Sequence, residues 1–224
     1  MGDTELLRGL AHRMSYLVKS IFDTIQGEGY YAGTSATFIR LAGCNLWSGH
    51  KQDRQRDHKR NKAECPKWCD TDFVGGERLT ARQIVRRVSG VHMVITGGEP
   101  LLQLNMDFLD ACQGNQLVQI ESNGTIAPQW GNIETAPTVY LTISPKTAPD
   151  GIDPLAKQLC SEVKVVYPSY DPKLYEDLAT RRYIQPLADG EDLNPEHMLA
   201  AAEFVMINPG WKLSVQTHKV VGLD

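Results

Sequence analysis

The stretch His92–Thr125, HMVITGGEPLLQLNMDFLDACQGNQLVQIESNGT, decides the architecture. HMVIT reads as a short strand ending at Gly97-Gly98-Glu99-Pro100, LLQLNMDFLDAC as a helix, and LVQIESNGT as the next strand. Strand, helix and strand in that order make a crossover unit, whose strands run parallel and whose connection is right-handed.

Outward from this unit the alternation continues. On the N-terminal side Thr80 can cap a helix, ARQIVRRVS, and two further strands precede it: YLVKSIFDTI, which runs into Gln26-Gly27-Glu28-Gly29, and ATFIRLAG, which delivers the chain to Cys44. On the C-terminal side come strands VYLTISPK, EVKVVY, RRYIQPL and KLSVQTHK, with helices around Lys173–Ala179 and at PEHMLAAAEFVMIN. About six such units make an α/β fold of the incomplete (β/α)6 type, a TIM-like barrel that does not close. Residues 1–15 read as an N-terminal extension, 16–224 as one domain, and about 48–64 as an insertion in a loop.

Composition bounds the function class. Apolar content of 42% and charged content of 22% are ordinary for a globular protein, and no apolar run is long enough to cross a membrane. A net charge of -4 argues against nucleic acid as the main ligand. The N-terminal residues lack the apolar core of a signal sequence, and Leu6 stands where a myristoylation motif needs Ser or Thr. The expectation is a cytoplasmic protein with reduced thiols. Lys51–Lys62 is basic but interleaved with Asp53 and Asp57, the pattern of a solvated helical face.

Ligands of parallel α/β proteins bind at the C-terminal ends of the strands. The polar strings of this chain fall there: Cys44, TGGEP, ESNGT, SPK, QPL and QTHK. Three of the five cysteines, Cys44, Cys65 and Cys69, share one loop. Three thiolates can hold an iron–sulfur cube with one iron left open to another ligand. The Cys65–Cys69 spacing is equally compatible with zinc, completed by Cys44, His50 or His58. Asp70 and Thr71 offer hard oxygen atoms that suit Mg2+. Arg40, on an apolar strand, calls for an anion, either Glu28 or a substrate carboxylate. Cys112 and Cys160 read as small buried hydrophobes.

The ordered set TIQGEG, FIRLAGCN, CDT, VITGGEP, IESNGT, SPK, QPL and QTHK resembles the radical S-adenosylmethionine (SAM) superfamily. Within it the chain is similar to the 7-carboxy-7-deazaguanine synthases of queuosine and deazapurine biosynthesis, from about Tyr16 onward. The resemblance implies a [4Fe-4S] cluster on Cys44, Cys65 and Cys69, with SAM on its open iron and Mg2+ at Thr71. SAM would lie along Gly98 and Glu99, then Ser144, Pro145, Lys146, Gln185, Pro186, Leu187 and Ala188. A carboxypterin substrate would meet Ile25, Gln26, Gly27, Glu28, Arg40, Thr96, Glu121, His218 and Asp224.

The implied reaction is radical ring contraction of 6-carboxy-5,6,7,8-tetrahydropterin with loss of ammonia, with a flavodoxin-type electron donor and a homodimer as partners. Two departures stand out. Twenty residues separate Cys44 from Cys65, and three separate Cys65 from Cys69, where the superfamily pattern CxxxCxxC has three and two. Rival readings are another radical SAM enzyme acting on a protein, such as a glycyl-radical activase, and a zinc-stabilised binding module.

Overall fold

A computed structural model describes residues 14–112, 117–130, 139–190 and 192–223. The expected extension over residues 1–13 and the site residue Asp224 lie outside the described residues. Among the described residues nine strands form one sheet: β1 Ser15–Ile25, β2 Ser35–Leu41, β3 Glu77–Thr80, β4 His92–Gly97, β5 Leu117–Ser122, β6 Val139–Ile143, β7 Cys160–Tyr167, β8 Arg182–Pro186 and β9 Lys212–Leu213. Their spatial order is β3-β1-β2-β4-β5-β6-β7-β8-β9, with β1 antiparallel to β2 and β3 and every later pair parallel. The two edge strands are not paired with each other, so the sheet stays open as an incomplete barrel.

The helices are α1 Arg54–Asn61, α2 Cys65–Trp68, α3 Ala81–Val85, α4 Met106–Ala111, α5 Pro154–Leu159, α6 Pro195–Ile207 and α7 Thr217–Val221. Thr80 caps α3 as the sequence suggests, in a reciprocal box with Gln83. Several elements differ from the sequence reading, among them the short strand β3, which was not expected. The helix expected over Leu101–Cys112 is a 3-10 turn, Pro100–Leu102, then α4, because Asn105 adopts an extended backbone and caps Phe108 N instead of continuing the first turn. The segment near Lys173 is a 3-10 run, Pro172–Leu178. KLSVQTHK is a strand only through Leu213, and its QTHK end opens α7. Helix α5 was not expected, although Asp153 followed by Pro154 is a start signal and the Asp153 carboxylate accepts from Leu155 N and Ala156 N.

Alternation within the parallel strands positions the site. One parity, Ile39, Leu41, Met93, Ile95, Val118, Ile120, Leu141, Ile143, Val163, Val165 and Ile184, belongs to the main core, together with Ile84, Phe108, Ala156 and Ala201 from the helices. The other parity carries Arg40, Thr96, Glu121, Lys164 and Gln185, all lining a single cleft at the strand ends. Arg40 sits beside Thr96 in register. A polar inner face on an apolar barrel wall is what a ligand-binding mouth requires.

Candidate active site

The cleft has a volume of about 890 Å3, and the three-cysteine loop forms one of its walls. What brings that loop to the strand ends is the Gly97-Gly98 pair. Gly98 N donates to Leu41 O (3.3 Å) and Glu99 N to Gly43 O (2.9 Å), so the chain entering Cys44 is stitched to the end of β4. A Cβ on Gly98 would lie 2.1 Å from Gly43 O, and Gly97 has φ +140 with Leu41 O 2.0 Å from where its Cβ would be. Only glycine permits this approach.

Cys44, Cys65 and Cys69 are free thiols, all lining the cleft and close enough for their charges to repel one another. Burial pushes Cys44 up to about 11 and Cys65 to about 12, and raises Cys69 as well. Such thiols become thiolates when a metal charge compensates them. One sulfur already receives a donor, Leu46 N at 3.4 Å from Cys44 Sγ, and Thr71 beside Cys69 favours its thiolate. Lys146 stands near, donating to Ser144 Oγ at 2.7 Å and lying 5.0 Å from the Trp68 ring centre. Burial lowers its pKa, against the pull of the Cys65 and Cys69 charges.

Neither histidine weighed as a zinc ligand lines the cleft with the three cysteines. His58 Nδ1 is engaged by Ala63 O at 2.7 Å, and His50 is exposed.

Across the cleft lies a buried charged network. Lys164 forms ion pairs with Glu28 and, at 3.5 Å, with Glu121. Glu28 Oε1 also accepts from Gln185 Nε2 (3.0 Å) and Gln216 Nε2 (2.9 Å). Burial alone would raise Glu28, but the neighbouring ammonium more than reverses that and holds it well below the usual carboxylate range. Lys164 shows the mirror effect: burial opposes its charge, and Glu121 and Glu28 outweigh burial and raise its pKa. Gln26 Nε2 donates to Gln119 (3.0 Å) and Glu121 (3.2 Å), and its Oε1 accepts from Glu28 N (3.1 Å). Thr96 Oγ1 lies 3.4 Å from Glu121 Oε2.

Arg40 lines the same cleft, and no hydrogen bond or ion pair joins its guanidinium to any described residue. Of its two expected partners, Glu28 is instead taken by Lys164. His218 also lines the cleft and packs so closely on Gly27 that a Cβ there would meet Nδ1 at 1.9 Å. Thr217 N donates to Gly27 O at 3.0 Å, which ties α7 to the QGEG turn.

The expected site residues thus divide. Gln26, Glu28, Arg40, Thr96, Glu121 and His218 share the cleft with the three cysteines, Thr71, Gly98, Ser144, Lys146 and Gln185. Ile25, Gly27, Pro145, Pro186, Leu187 and Ala188 are not part of its lining. Glu99 is 0% exposed, and its carboxylate accepts from Leu101 N (2.9 Å), Ser122 Oγ (2.9 Å) and Asn123 N (2.7 Å). Burial pushes it up to about 7 in spite of these donors. Lys164 and Gln216 were missed by sequence reasoning. Lys164 was readable in EVKVVY, where Glu162 and Lys164 are charges on an otherwise apolar strand, as Arg40 is in ATFIRLAG.

An open parallel barrel with a three-thiol loop against a Gly-Gly strand end has the build of the radical SAM enzymes. Comparison with known proteins narrows that class. No family model matches the chain. It is 39% identical to the 7-carboxy-7-deazaguanine synthase of Bradyrhizobium diazoefficiens, over 94% of this chain and 100% of that protein. It is 37% identical to the same-named protein of Bordetella pertussis and 36% to that of Burkholderia multivorans, each over 94% of this chain and 100% of the relative. The crystal structure of QueE from Escherichia coli superposes with a TM-score of 0.67 at 21% identity, covering 97% of this chain and 100% of that one, which supports the fold. The chain belongs to the 7-carboxy-7-deazaguanine synthase family.

Proposed function

We propose that this chain converts 6-carboxy-5,6,7,8-tetrahydropterin to 7-carboxy-7-deazaguanine and ammonia, a ring contraction that balances without net oxidation or reduction. Membership in the synthase family supports the reaction, and the observation that carries it to the site is the Arg40 guanidinium, which lines the same cleft as the three thiols and makes no hydrogen bond or close ion pair among the described residues, with Asp72 its charged neighbour. Residues 16–224 act as one catalytic domain, with 48–64 as its insertion.

The donor set fits the implied cofactors. Three soft thiols on one wall of the cleft suit an iron–sulfur cluster, whose irons take thiolate ligands. Cys44, Cys65 and Cys69 would hold that [4Fe-4S] cluster, and Asp70 and Thr71 offer the oxygen ligands for Mg2+. The cluster and SAM, when bound, supply the one-electron chemistry that starts the ring contraction. Gly98, Ser144, Lys146 and Gln185 would take the SAM side of the cleft, together with Glu99, Pro145, Pro186, Leu187 and Ala188.

The remaining roles belong to the chain's own polar groups. Arg40 holds the substrate carboxylate through its fork of donors. Glu28, fixed as a carboxylate by Lys164, and Glu121 accept from N–H groups of the pterin. Gln185 and Gln216 add acceptors: their Oε1 atoms are buried with no hydrogen-bond partner among the described residues, and a ligand N–H would satisfy them. Gln26, Thr96 and His218 complete the pocket, backed by Ile25 and Gly27, with Asp224 expected nearby. A flavodoxin-type donor, a homodimer and a cytoplasmic location complete the proposal; among the described residues no helix is long and apolar enough to cross a membrane.

The test is anaerobic turnover with reductant, SAM, Mg2+ and the carboxypterin. The expected product is 7-carboxy-7-deazaguanine with one ammonia; SAM cleavage with no change in the pterin would point to another substrate.

A further inference from the structure

Cys65 and Cys69 are separated by three residues, and the structure shows what that spacing builds. Cys65–Trp68 forms a single helical turn, closed by Cys69 N donating to Cys65 O at 2.7 Å. So short a turn leaves its other carbonyls without intrahelical partners. Arg54, the first residue of α1 in the insertion, fills one of those positions and caps the carbonyl that follows the turn. Its Nη1 donates to Pro66 O at 2.5 Å and its Nη2 to Cys69 O at 2.7 Å. The guanidinium lies 4.4 Å from the Trp47 ring centre, and Trp47 is itself held edge-on against Phe73 at 5.5 Å.

The rest of the insertion braces α1 against the chain leaving the first cysteine. Asp57, 3% exposed, accepts from Ser48 N at 2.9 Å, and Asn61 Nδ2 donates to Leu46 O at 2.7 Å. The helix therefore bridges Leu46 and Ser48, just after Cys44, to Pro66 and Cys69. Its other cations, Arg56, Lys59 and Arg60, are exposed, whereas Arg54 turns inward.

We propose that Arg54 is a positioning residue for the Cys65–Cys69 thiolate pair, and that the long insertion exists to present it. The fork grips carbonyls inside and at the end of the turn, which fixes the separation of the two sulfurs. It also holds a permanent positive charge against the Cys69 carbonyl, at the end of a turn where cations are favoured. Lysine would supply a single flexible point charge in place of the fork. This inference rests on the cluster reading above.

Wild type, Arg54→Lys, Arg54→Met and the exposed control Lys59→Ala are reconstituted anaerobically with iron and sulfide. Three quantities are read: iron and sulfide per chain, the rate of iron loss to a chelator, and the midpoint potential of the cluster by redox titration with electron paramagnetic resonance. Arg54→Met should lose iron at least tenfold faster than wild type and show a more negative midpoint, because the fixed charge that favours the reduced cluster is gone. Arg54→Lys should keep most of the potential but lose iron at an intermediate rate, and Lys59→Ala should match wild type. Unchanged iron loss and unchanged potential in both Arg54 variants would overturn the inference. A wild-type protein that takes up no iron would instead overturn the cluster reading beneath it.

Discussion

Replacing Lys164 by Met removes the cation from between two carboxylates without removing much volume. The Lys164 side chain is 5% exposed and that of Glu28 13%, so Glu28 is left charged in a site from which water is nearly excluded. Breaking a buried pair from one side costs about 3–5 kcal/mol, and a chain of this size loses about 2–4 °C of Tm per kcal/mol. The expected loss at pH 7.5 is therefore about 6–20 °C.

The pH dependence gives the sharper test. In the wild type the folded-state pKa of Glu28 is depressed below 4.5, so its contribution is present above pH 4.5 and lost as pH falls through the depressed value. Lys164 is raised above 10.5, so its contribution is complete below that value and lost at higher pH. In Lys164→Met the sign for Glu28 reverses: burial with no cation raises it, and the variant regains stability relative to wild type as pH falls toward 4.5 and the carboxyl is protonated. Urea unfolding at pH 7.5 and pH 5, with Lys164→Met/Glu28→Gln to complete the cycle, measures this. A loss below about 1 kcal/mol at pH 7.5, or the same loss at both pH values, would refute the claim that a buried ion pair organises this side of the cleft.

Two further outcomes follow from the geometry. Arg40→Ala should raise KM for the carboxypterin roughly 10- to 150-fold, the equivalent of about 1.5–3 kcal/mol for a charged hydrogen-bonded contact, while iron content stays at the wild-type level; steady-state kinetics beside iron analysis separates the two. Gly98→Ala should displace the Cys44 loop, because the new methyl meets the Gly43 carbonyl at 2.1 Å, and so reduce cluster retention, visible as loss of iron–sulfur absorbance in an anaerobic preparation.

The parallel repeat was legible because strands buried on their outer face and helices differ in period and length, and HMVIT, LVQIES and EVKVVY carry that contrast. Elements decided by one or two residues were less so. β3 is only ERLT, α5 is one and a half turns announced by Asp153-Pro154, and QTHK becomes helical once the strand before it stops pairing at Leu213. The cysteine trio and Arg40 could be read because each is chemically out of place on its own segment. Lys164 was equally out of place but was read as part of a strand. Glu99 could be picked out from its motif, but not its partners Ser122 and Asn123, which lie more than twenty residues away. The grip of Arg54 on two backbone carbonyls leaves no trace in the sequence, since any residue supplies a carbonyl.

The most direct measurement is iron and acid-labile sulfide per chain after anaerobic reconstitution, in wild type and in a variant with Cys44, Cys65 and Cys69 all replaced by Ser. About four of each in wild type and almost none in the variant is the predicted result. Stoichiometric zinc in a colourless wild-type protein, or a cluster that survives in the triple variant, would contradict the assignment of these three thiols.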